Sequence, residues 1–212
     1  MYRLIEKYAG IIVKRIPPDF VSKYDWLLEN ADKVMASEYQ MKYRDFWAMN
    51  AALPSDEFCS VYFSTLQSAL NEAKDPPSLK DIVKILYPAT ERKGKNPKKP
   101  FPPFSFATKL QHMTNTALPV YDKWVVGFYF LRVPTLTKTG GIERRIVDYI
   151  KIHDFLVEEY ARVLDEGLLS NAIREFESEL KPRHFSKEKI IDSLIWAFAG
   201  NNLLQTKAVI YE

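Results

Sequence analysis

The chain has 212 residues, 47% hydrophobic and 27% charged, with a formal net charge of +3. That length suits one core or two closely joined helical lobes, and no apolar run is long enough to span a bilayer. Cys59 is the only cysteine, which excludes an internal disulfide and a four-cysteine iron–sulfur cluster and points to a reducing compartment.

The pattern along the chain is helical almost throughout. Residues 1–13 form an amphipathic segment ended by Pro17-Pro18, and 19–30 and 37–52 read as helices. Ser55 is placed to cap a long helix to residue 74, with Asp56 and Glu57 at its positive end. Asp75-Pro76-Pro77 breaks the chain, and Ser78-x-x-Asp81 resembles a capping box for a helix to Tyr87. A basic, proline-rich loop covers 88–103. Helices follow at 104–115 and 123–131, with a loop at 134–141. Ile142, Ile146, Ile150, His153 and Val157 then mark one face of a long helix. Gly167 interrupts it before a helix to Leu180, Ser186 caps a last helix, and Gly200 ends it. The alternation needed for a large sheet is missing, and no segment repeats. The expected fold is all-α.

One short helix stands out. Phe106, Leu110 and Met113 recur at the spacing of a helical face, and Lys109 falls inside that face, three residues after Phe106 and four before Met113. A solvated lysine belongs on the polar side. Burial disfavours the ammonium form and turns an inert cation into a usable amine. The simpler alternative is a lysine whose stem lies along the core while its head reaches water.

Asp122 follows Leu118-Pro119-Val120-Tyr121 and precedes the apolar run from Trp124 to Leu131, which is where an N-cap belongs. Capping and chemistry are compatible, because a cap carboxylate is held rigidly by helix N–H groups.

Thr108-Lys109, a helix, and then Pro119-Val120-Tyr121-Asp122-Lys123-Trp124 resemble the core of the helix-hairpin-helix DNA glycosylase superfamily, in particular its 8-oxoguanine glycosylase-like branch. In that family a Thr-Lys pair opens the second hairpin helix and the lysine is the nucleophile, while a downstream Pro-Val-Asp-like motif carries the essential aspartate. Lys109 and Asp122 match those positions. The specific motif covers residues 105–124. A weaker likeness extends over the chain to small bacterial proteins with an oxoguanine-glycosylase-like fold, through Tyr43-Arg44-Asp45-Phe46-Trp47-Ala48-Met49 and Ile191-Asp192-Ser193-Leu194-Ile195-Trp196. Some similar bacterial proteins are anti-phage glycosylases acting on hypermodified cytosine. Two departures stand out. The family's Leu-Pro-Gly-x-Gly hairpin is replaced by Pro102-Pro103-Phe104-Ser105-Phe106, and Asp122 follows Lys109 by only 13 positions. The glycine hairpin normally offers N–H groups to a phosphate, so that contact is absent or built differently here.

The resemblance implies a single domain over 1–212, with lobes at roughly 1–87 and 104–200, a linker loop at 88–103 and the active site between the lobes. It implies a base-flipping enzyme that excises oxidised guanine or a hypermodified cytosine, with an aromatic-lined pocket for the extruded base. Trp124, two residues past Asp122, is the first pocket candidate. His112 and Met113 follow as neighbours of Lys109, and Trp196 follows on family likeness. Arg92, Lys93, Lys95, Lys98 and Lys99 crowd into eight residues just before the Lys109 helix. Such a run is either a solvated loop or a grip on phosphates. His112, His153 and His184 form no metal-ligand pattern, so metal-free catalysis without a cofactor is expected. The full expectation is a monomeric, cytoplasmic enzyme that takes DNA as its partner and makes no membrane contact. The alternative is a helical nucleic-acid-binding or partner-binding module without catalysis.

Overall fold

A computed structural model describes residues 1–72, 76–91, 100–131 and 141–200. The described residues hold eleven α-helices and no strand, so the fold is all-α. In chain order the helices are α1 (Tyr2–Lys7), α2 (Ala9–Val13), α3 (Phe20–Glu29), α4 (Ser37–Phe46), α5 (Asp56–Asn71), α6 (Leu79–Leu86), α7 (Phe104–Thr114), α8 (Lys123–Phe128), α9 (Ile142–Asp165), α10 (Ser170–Leu180) and α11 (Lys187–Gly200). None is long and apolar enough to cross a membrane among the described residues.

Helix starts follow the capping residues. The Ser55 hydroxyl accepts from the Phe58 N–H, the Ser78 hydroxyl from the Asp81 N–H, and the Ser186 hydroxyl from the Lys189 N–H. Gly167 ends the α9 turn in the left-handed region at φ +64°, where a side chain would be strained.

Two expected helices are broken instead. Residues 1–13 divide at Tyr8 into α1 and α2, and an added Cβ on Gly10 would lie 3.2 Å from Glu175 Oε1 of α10. The glycine therefore permits the close approach of α10. Residues 37–52 stop as α-helix at Phe46, pass Ala48 at φ +50°, and continue as a 3-10 turn over Met49–Ala52. On α9 the buried stripe is Ile146, Tyr149, His153, Leu156, Tyr160 and Val163, while Val157 is exposed. The helix is thus rotated from the expected face toward its aromatic residues.

Two hydrophobic clusters form the core. One joins α3–α7 and adds Val120, Tyr121 and Val126 with the first turns of α9. The other joins α1, α2, the later turns of α9, α10 and α11 with Val125 and Phe128 of α8. Neither cluster is confined to one side of residues 88–103. Residues 5–21 pack with the C-terminal helices, and α7 packs with α5 and α6. The cause is α9, which is long enough to feed both clusters. Lys109 and Trp47 lie on elements of the first cluster, and Lys189 and Asp192 lie on α11 of the second.

Candidate active site

The Lys109 side chain leaves the buried face of α7 between Thr108 and Leu110, both fully buried. Its Nζ donates to the Trp47 carbonyl at 3.1 Å and lies 5.7 Å from the Phe106 ring centroid. Trp47 is the C-terminal cap of α4, where carbonyls lack helical partners and the dipole favours a cation. Even so, burial pulls the amine from 10.5 down to about 8. Asp122 opposes that shift, Lys189 adds to it, and Asp192 opposes it weakly.

Asp122 is the N-cap of α8. Its Oδ1 accepts from the Trp124 N–H at 2.7 Å and the Val125 N–H at 2.8 Å, and among the described residues Oδ2 takes no hydrogen bond. Burial raises the carboxyl above its ordinary 3.8, and the Asp192 charge adds to this. The two helix N–H groups and Lys109 pull the other way without winning. Lys109 and Asp122 form no ion pair within 4 Å; they share a field rather than a contact. Both groups are pushed toward their neutral forms, because desolvation exceeds their mutual attraction.

A side chain sets their spacing. The Thr108 hydroxyl donates to the Ser105 carbonyl at 3.2 Å and accepts from the Tyr121 N–H at 3.1 Å. Thr108 precedes Lys109 and Tyr121 precedes Asp122, so one hydroxyl ties the segments that carry these two residues together. At the start of α7, the Phe104 N–H goes to the Pro102 carbonyl and the Phe106 and Ala107 N–H groups go to the Pro103 carbonyl. Those first-turn amides are satisfied by nearby carbonyls of the chain itself.

Sequence reasoning missed the second half of the cluster. Lys189 Nζ pairs with Asp192 Oδ2 at 3.0 Å, and both residues are buried. The ammonium lies 4.7 Å from the Trp47 ring centroid, 5.5 Å from Tyr24 and 5.7 Å from Phe20, an aromatic cage around a cation. The Tyr160 hydroxyl donates to Asp192 Oδ1 at 3.3 Å. The signal was present: Lys189 and Asp192 are two charges three residues apart in a helix otherwise buried on nearly every face.

The proposed pocket residues separate. Trp124 is half-buried beside Asp122, with the Lys123 ammonium 4.5 Å from its ring and Gly200 against its other atoms. His112 is fully buried, with Nε2 2.7 Å from the Tyr24 hydroxyl and Nδ1 2.6 Å from the Leu118 carbonyl. Burial drops its pKa to about 3. Both nitrogens are committed, so His112 anchors Tyr24 and has no hydrogen bond to spare for a base. Met113 is core packing. Trp196 stacks on Phe20 at 6.0 Å and 8°, and it is the Phe20 ring that faces the Lys189 ammonium. His153 is buried as expected, but its Nε2 has no partner. It lines an open groove of about 520 Å³ with Gln111, Leu118 and Ile150, and neither Lys109 nor Asp122 lines that groove. Arg92, Lys93, Lys95, Lys98 and Lys99 lie outside the described residues.

Comparison of the chain with family models, curated proteins and solved structures finds no match.

Proposed function

We propose that the chain is a DNA glycosylase that excises a modified base, with Lys109 as nucleophile and Asp122 assisting. The observation that carries this reading is the partly buried Lys109 amine, held by the Trp47 carbonyl and brought down to about 8, on a helix whose Thr108 hydroxyl is bonded to the Tyr121 N–H, one residue before the carboxyl that caps α8. An amine held below its usual range is one that can act as a nucleophile. At pH 7 roughly a tenth of such an amine is neutral.

In this mechanism the target nucleotide leaves the duplex and its base stacks on Trp124. The glycosidic bond breaks with its electron pair going to the base. Asp122, through Oδ2, the oxygen not held by the helix N–H groups, stabilises the positive charge that develops on the sugar. The neutral Nζ attacks C1′ and passes a proton to Asp122. The ring C1′–O4′ bond then opens, O4′ takes up a proton, and a protonated imine joins Nζ to C1′. β-Elimination of the strand can follow from that imine. The base is either oxidised guanine or a hypermodified cytosine such as glucosylated hydroxymethylcytosine, and the changed hairpin and short Lys-to-Asp spacing keep both in view.

Borohydride trapping tests the reading. The wild-type protein should give a covalent adduct with DNA carrying the right base, and Lys109→Ala should give none. Mass spectrometry of bases released from oxidised DNA and from phage DNA identifies the substrate. A protein that binds DNA but neither traps nor releases a base is instead the non-catalytic binding module.

A further inference from the structure

We propose that Leu53 is the side chain that enters the DNA stack and occupies the place left by the extruded nucleotide. The inference rests on the glycosylase reading and deepens it by naming an intercalating residue.

The turn after α4 is unusual at both ends. Ala48 at φ +50° and Leu53 at φ +47° flank the Met49–Ala52 turn, and both are in the left-handed region without being glycine. A bulky aliphatic residue there is a backbone outlier that persists only where its surroundings enforce it. Met49, 1% exposed, pins the turn to the core. Yet the Leu53 side chain is 74% exposed, more than any other large aliphatic among the described residues. Folding alone favours the opposite choice at such a position, a glycine or asparagine that fits the backbone and avoids apolar surface.

The location gives the feature a use. The turn begins at Trp47, whose carbonyl holds the Lys109 amine. Ala52 and Pro54, on either side of Leu53, line a small concavity with Phe106. The Phe106 ring is 5.7 Å from Lys109 Nζ. One rigid turn therefore grips the nucleophile at its start and presents an apolar side chain at its end. Apolar side chains inserted between base steps are the general means by which proteins unstack a duplex. Phe130 is also exposed at a positive φ, but it follows the C-terminal end of α8, away from the Asp122 end.

The test uses DNA carrying one abasic site, whose aldehyde condenses with the Lys109 amine to an imine and water; borohydride then reduces the imine to a stable secondary amine. No knowledge of the excised base is needed. A 2-aminopurine opposite the abasic site reports insertion into the stack. Leu53→Ala and Leu53→Gly should trap single-stranded DNA at the wild-type rate, but trap the duplex at least about tenfold more slowly. They should also lose the 2-aminopurine change. Leu53→Gly, which relieves the backbone, should melt no lower than wild type, so a slower duplex reaction is not misfolding. If both variants match wild type on the duplex, or lose both DNA forms equally, or if Phe130→Ala alone shows the selective loss, Leu53 is not the wedge while the glycosylase reading stands. If the wild-type protein traps neither form, the reading falls and the wedge with it.

Discussion

Two carboxylates in this protein each take two backbone N–H groups, and their surroundings differ. Asp25, 2% exposed, accepts from the Arg183 and His184 N–H groups at 3.2 and 3.0 Å, and the Arg183 guanidinium stands 3.6 Å away. Glu29 completes the set by pairing with Arg183 and His184. That arrangement fastens the segment before α11 to α3. Asp122 has its two N–H groups on one oxygen only, and the Lys109 ammonium that acts on it is bonded to the Trp47 carbonyl instead. Compensated burial is a fastening. Uncompensated burial leaves a carboxyl and an amine both displaced toward neutrality, which is the condition for moving protons between them.

The contrast can be broken most severely at the reacting groups. Lys109→Ala should abolish trapping, and Asp122→Asn should abolish base release while leaving folding and DNA binding largely intact; wild-type release by Asp122→Asn would remove the aspartate from the mechanism. Next in size is Asp192→Ala. It strands a buried Lys189 cation and should cost about 3–5 kcal/mol in denaturant unfolding. By comparison, Asp25→Ala should cost about 1–3 kcal/mol, because it frees two N–H groups at the segment before α11. It should not move the pH dependence of trapping.

Smaller effects sharpen the comparison. Lys109→Met should stabilise the fold by roughly 1–3 kcal/mol at neutral pH. Here the folded value lies below the unfolded one, so the wild-type chain carries a buried charge at low pH. The gain in the variant is full below pH about 8 and fades as pH rises toward 10.5. An unchanged melting temperature at pH 7 would mean that the amine is not sheltered. In the wild type, the trapping rate should rise about tenfold per pH unit up to about 8 and then level off. Replacing the Lys189–Asp192 pair with Met and Leu should move that plateau to higher pH, since Lys189 outweighs Asp192 in its effect on Lys109.

Much of this was legible in the chain. Ser55, Ser78 and Ser186 act locally, through a hydroxyl three residues from its partner, so their helices start where the residues say. Lys109 and Asp122 were visible because each sits in a short pattern, an apolar face in one case and a helix start in the other. The left-handed turn at Ala48 was not visible. It has no glycine or proline, and its cause is a tertiary one, with Met49 in the core and the Trp47 carbonyl turned to a lysine 62 positions away. Lys189 and Asp192 went unread for a similar reason. Three-residue spacing suits a solvated pair equally well, and only the packing of Trp47 and Tyr24 over it makes the pair internal.

The acceptor for the Lys109 amine belongs to the main chain. No replacement of the Trp47 side chain can delete that oxygen, so the hold on the Lys109 amine is insulated from ordinary point substitution. It stays sensitive to the path of the backbone. Changes at residues 48–50 that redirect the backbone beside Trp47 would swing the carbonyl away. Genetic screens would then score them as loss-of-activity alleles, although they lie in a stretch with no reactive atom of its own.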